Sequence, residues 1–158
     1  MATSVIRGRS AVVILAIGFV AGALAVLIFH QMAVWLLSTL GMSEGRPYSL
    51  QAVQPLGIPQ FLNAAFWGGL WGCVFALLAD RFPRSWPLWL AGLLFGMIAP
   101  TLVGWFIVGP IKGRPSPFAQ GLSPRLINGP IINGMWGLGT ALFYDLLRHR
   151  FLGRSRWV

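Results

Sequence analysis

Four long stretches of this chain carry no charged residue before their last few positions: about 11–37, 61–79, 87–111 and 131–147. A helix satisfies its own backbone hydrogen bonds and rises about 1.5 Å per residue, so roughly 20 apolar residues cross a 30 Å hydrocarbon layer. Only 9% of the residues are charged and 56% are hydrophobic, whereas soluble domains carry about 25% charge. So few charges cannot clothe a surface in water, and lipid is the expected solvent. The pattern predicts an all-α polytopic membrane protein, with four transmembrane helices in a single domain over residues 1–158.

Bases flank the apolar runs and do not gather on one face, so the net charge of +9 marks membrane orientation and not nucleic-acid binding. With the N-terminus inside, the inner segments hold Arg7, Arg9, Arg81, Arg84, Arg148, Arg150, Arg154 and Arg156. The outer loops hold only Arg46, Lys112, Arg114 and Arg125, so both termini are expected on the cytoplasmic side. The first run is too long for the apolar core of a cleaved signal peptide and reads as a retained anchor. Trp35, Trp86, Trp89, Trp105 and Trp157 fall near span ends, where indoles favour the interface. The basic tail from Arg148 to Arg156 reads as an anchor on anionic headgroups.

The chain also repeats itself. Shifted by 65 positions, residues 59–80 match 124–145 at eight of 22 positions, sharing W-G-x-x-x-A-L-x-x-D. At a shift of 70, Ala21-Gly22 pairs with Ala91-Gly92, and Trp35 with Trp105. Gly-Arg-Pro occurs in both outer loops, at 45–47 and 113–115. The expected plan is two tandem parallel-repeat hairpins, about 11–84 and 85–150, related by a pseudo-twofold along the membrane normal.

Helices in lipid associate through small residues that let backbones approach. Gly18 and Gly22, Gly68 and Gly72, Gly92 and Gly96, and Gly137 and Ala141 give each span such a face. Any face left over is available to a second copy or a larger membrane complex. Asp80 precedes Arg84 by four residues and Asp145 precedes Arg148 by three, spacings that predict local ion pairs at the inner ends.

Polar residues within the spans gather in their outer halves: His30, Gln31, Asn63, Thr101, Asn128 and Asn133. Such side chains mark functional sites by default and are candidate ligand-binding groups in a water-accessible cavity. The competing expectation is mutual hydrogen bonding between helices, with Asn63 and Asn128 as helix caps. Pro100 frees a carbonyl near Gly96, for which His30 is a candidate donor. No catalytic constellation is evident, since His30 has no acid at comparable depth. Two histidines, three acids and one cysteine give no metal site, and no cofactor is expected.

Residues 79–94 (Ala-Asp-Arg-Phe-Pro-Arg, then Leu88-Trp89 and Ala91-Gly92-Leu93-Leu94) resemble the YagU-like bacterial inner-membrane proteins. The resemblance implies a bacterial inner membrane. Two functions follow as expectations: a non-enzymatic accessory or structural component acting through helix and lipid contacts, or a small transporter or channel component with a polar cavity open to the outer side.

Overall fold

The computed structural model describes residues 2–115, 118 and 124–153, with side chains described from residue 11 and, in the last helix, from residue 126. The chain forms four helical rods. In the first, α1 (Ala2–Ala25) passes through a π-helical turn (Val26–His30) into α2 (Gln31–Thr39). The second is α3 (Gln60–Leu78), closed by a 3₁₀ turn (Ala79–Arg81). The third is α4 (Leu88–Val103), then a second π-helical turn (Gly104–Val108) and α5 (Gly109–Ile111). The fourth is α6 (Pro124–Leu152). A two-residue antiparallel ladder, Ala52–Val53 with Ile58–Pro59, folds the first long loop; the all-helical expectation had no place for it.

Three rods, Ala11–Thr39, Gln60–Arg81 and Leu88–Ile111, are long and apolar enough to cross a membrane. The fourth is longer than the expected 131–147 and spans 29 residues, but Asn128, Gly129, Pro130 and Asn133 dilute its apolar content. Its position accounts for that. α6 packs against both α1 and α4, so much of its surface meets protein and not the surroundings. Gly134, Trp136, Gly137, Gly139, Thr140 and Ala141 are all buried along it.

Glycine sets the distance between rods within each hairpin. A Cβ added to Gly22 would stand 2.2 Å from the Gly68 carbonyl oxygen, and one added to Gly18 would stand 2.6 Å from that of Gly72. In the second hairpin a Cβ on Gly96 would meet the Asn133 carbonyl at 2.1 Å, and one on Gly92 would meet Gly137 at 2.4 Å and the Ala141 methyl at 2.5 Å. Gly18 thus packs as Gly92 does, an offset of 74. The aligned residues gave 70; the two registers differ by one helical turn, so the same face is presented in either.

The seams between hairpins are unequal, which a strict twofold would not allow. α1 and α6 run in close contact, whereas α3 and α4 barely touch. Here the Trp136 indole donates a 2.9 Å hydrogen bond to the Gly22 carbonyl, inside the glycine groove itself. Between α3 and α4, bulky rings intervene: Phe95 meets Phe75 at 5.6 Å, Trp71 at 6.0 Å and Phe82 at 6.5 Å between centroids. These rings fill the seam towards the end of the bundle that carries the termini.

At that end the expected local ion pairs are replaced by one between hairpins. Arg148 gives both terminal nitrogens to Asp80, at 2.7 and 3.1 Å, and lies over the Tyr144 ring. This bond, with partial burial opposing it, raises the guanidinium pKa above its ordinary value. Asp145 is buried, and its charge also acts on Arg148. Asp80, at the end of the neighbouring hairpin, meets both terminal nitrogens of Arg148 at once. The tail residues Arg154, Arg156 and Trp157, and the side chains of Arg7, Arg9 and Arg125, lie outside the described residues.

Gly22→Ala and Gly96→Ala each push a methyl into a neighbouring backbone and should destabilise the bundle by about 1–3 kcal/mol in detergent unfolding. A Cβ on Gly104 meets nothing within 4 Å, so Gly104→Ala should be neutral or stabilising by about 0.5–1 kcal/mol. Equal effects at the three positions would contradict close packing as the role of the first two.

Candidate functional site: a polar vestibule at the loop end

Both odd-numbered rods end alike. Gly41 and Gly113 adopt left-handed φ angles of 68° and 66°. The following amides close the helix ends: Met42 N–H donates to the Leu37 carbonyl and Arg114 N–H to that of Gly109, each at 2.9 Å. These are glycine-terminated caps in which only a residue without Cβ turns cheaply. The long loop after the first cap is then tied back onto its own rod by Tyr48. The Tyr48 N–H donates to Gln31 Oε1 at 2.8 Å and its hydroxyl donates to the Leu27 carbonyl at 2.7 Å. Leu27 lies in the π-helical turn, where the wider turn alters the carbonyl ladder.

Three cavities lie behind this strap. The largest, a vestibule of about 780 Å³, is lined by His30, Gln31, Glu44, Arg46, Gln51, Gln60 and Arg114 among others. A second, of about 330 Å³, lies beside Thr101, Trp105, Arg114, Asn128 and Asn133. The third, of about 260 Å³, sits between α3 and α4, where the aromatic filling of their seam stops; His30, Ala64, Trp71, Pro100, Gly104, Asn133 and Trp136 line it. The vestibule and this inner cavity adjoin at His30 and Ala64. Trp136, pinned to Gly22, lines the inner cavity where the two glycine-packed hairpins meet.

The polar residues singled out by the sequence divide into two groups. Gln31, Thr101 and Asn133 make structural bonds: Gln31 holds Tyr48, and Asn133 Nδ2 donates to Thr101 Oγ1 at 2.9 Å. Thr101 Oγ1 in turn lies 3.4 Å from the Gly96 carbonyl that Pro100 leaves free. Threonine five residues along the same helix therefore takes the position expected of His30. Asn128 and His30 keep unsatisfied atoms. Asn128 Nδ2 donates to the Met42 carbonyl at 2.7 Å, but among the described residues its buried Oδ1 has no partner, nor has the buried His30 Nδ1. Neither asparagine caps a helix. Pro59 precedes α3 without a side-chain cap, Asn63 sits inside the first turns and lines none of the three cavities, and Asn128 lies within α6.

Sequence reasoning passed over Tyr48, the two π-helical turns and the vestibule arginines as site elements. The repeated Gly-Arg-Pro was the available signal, since it places Arg46 and Arg114 on equivalent loops. Among the described residues no group of three His, Cys, Asp or Glu side chains stands ready to hold a metal ion. Cys73 is half-buried, its thiol 3.3 Å from the Leu15 carbonyl. No family model, curated protein or solved structure matches this chain.

Gln31→Leu leaves the Tyr48 amide without its acceptor, and Tyr48→Phe removes the bond to Leu27. Each should cost about 0.5–1.5 kcal/mol and speed cleavage of the loop by a glutamate-specific protease after Glu44. Unchanged cleavage in both variants would mean that the strap does not hold the loop.

Proposed function

We propose that this chain is a multi-pass protein of a bacterial cytoplasmic membrane, with two tandem hairpins of like orientation and cytoplasmic termini. In this reading it acts without catalysis, as a small transporter or channel component whose solute enters from the outer face. One observation carries it: a polar vestibule of about 780 Å³ adjoins an inner cavity of about 260 Å³ at His30. Sites for small molecules typically span about 300–1,000 Å³. Bundles held together only by interhelical hydrogen bonds would leave no such volume, nor buried polar atoms facing it without partners.

The positions of the rods favour a solute path over a purely structural role. The least apolar rod is flanked by two others and presents Asn128 and Asn133 to the cavities. Large apolar side chains of α3 and the third rod, such as Phe66, Leu77, Ile98 and Ile107, are exposed, as lipid contacts would be. The inner cavity meets the Trp136 bond and the aromatic group around Phe95. The site is therefore a pocket open at one end, and passage across the membrane requires the Trp136–Gly22 contact to open.

The test is water access. In a Cys73→Ser background, Ala64→Cys should react with an impermeant sulfonated methanethiosulfonate added from the outer side. Gly104→Phe, whose Cβ enters open space at the wall of the inner cavity, should slow that reaction severalfold. Flux of a transported solute should fall in His30→Ala and Asn128→Ala. Absence of labelling at residue 64 would overturn the solute reading and leave the accessory role.

A further inference from the structure

The two Gly-Arg-Pro loops converge. Arg46 follows the first rod and Arg114 the third, yet both side chains line one vestibule. Their approach is built by different means: Arg114 is the residue that completes the glycine cap of α5, and Arg46 lies two residues before the strapped Tyr48. Among the described residues neither guanidinium makes an ion pair or hydrogen bond. Glu44 lines the same space, also without an ion pair. Two arginines against one carboxylate leave the vestibule with a net positive charge. Below them stand the amides of Gln51 and Gln60, with the unpartnered His30 Nδ1 at the floor.

We infer that the vestibule is an oxoanion site, in which Arg46 and Arg114 clamp a phosphate or similar tetrahedral anion from opposite hairpins. The inference rests on the outward-facing pocket proposed above and names its ligand chemistry. Guanidinium presents a planar fork of donors that matches oxoanions bidentately. A cation or neutral solute would leave both forks unmatched. A second fork, from the other loop, adds donors for a tetrahedral anion that one surface arginine cannot supply. Glu44 limits affinity, so that a bound anion can leave again. The same chemistry is offered by a free anion and by the phosphate of an outer-leaflet lipid.

Two probes separate those sources. Purified full-length protein in detergent is titrated calorimetrically with inorganic phosphate, and native mass spectrometry follows retention of phosphatidylglycerol. With either probe, one anion should bind per chain, and Arg46→Gln or Arg114→Gln should weaken it about tenfold or more. The double variant should abolish binding while melting as the parent does, because neither side chain holds the fold together. Glu44→Gln should tighten binding. Phosphate binding identifies a free solute; phosphatidylglycerol retention that phosphate does not displace identifies a headgroup, and either result upholds the clamp. Binding of neither probe, or binding untouched by the double variant, overturns it. Labelling of Ala64→Cys reads the pocket independently, so a wet vestibule that holds no anion would reject the clamp alone.

Discussion

Backbone contact through glycine is the constraint on which the rest of this molecule depends. Lipid and leucine are equally apolar, so burying leucine between helices gains little in a bilayer, and association relies on close van der Waals contact. Gly18 and Gly22 supply that contact with Gly72 and Gly68, and Gly92 and Gly96 supply it with Gly137 and Asn133. Each hairpin is thereby a rigid pair. The two pairs meet along α1 and α6 and do not close along α3 and α4, and the rings of Phe75, Phe82 and Phe95 fill only part of the gap between those two rods. The inner cavity occupies what remains.

The junction of the two pairs shows how few groups connect them. Trp136 reaches into the α1–α3 groove beside Gly68, where an added Cβ would stand 3.0 Å from the indole nitrogen. The same glycine thus admits both the neighbouring backbone and the ring that closes the pocket floor. At the other end Arg148 joins Asp80 across hairpins, in a partly exposed setting where such pairs contribute about 1 kcal/mol or less. Movement between the hairpins therefore has to break side-chain contacts (the Trp136 indole bond, the Arg148–Asp80 pair, and the bonds of Tyr144 to Ala76 and Asn128 to Met42), whereas movement within a hairpin has to separate backbones.

Much of this was legible in the residues. Spans emerged from charge-free length, and packing faces from glycine spacing, because both depend on local pattern. Asn128 and Asn133 were found as polar groups in an apolar setting. What escaped depends on pairing between distant segments. Nothing local to Arg148 says that Asp80 is nearer than Asp145, and nothing local to Thr101 says that it, and not His30, faces the Gly96 carbonyl. Hydropathy also undervalued α6, since a rod surrounded by protein has no need of a lipid-grade surface. Tyr48 was passed over because its role arises from a loop folding back onto a helical turn whose π-type widening has no sequence signature here.

Hydrogen exchange in lipid nanodiscs tests the central claim most directly, because amides in hydrocarbon have no water with which to exchange. The account predicts that the segment from Pro100 to Val108 exchanges measurably faster than Leu90–Met97 of the same rod, since it borders the open end of the α3–α4 seam. Equal and complete protection of the two segments would show a dry, closed bundle and contradict the account.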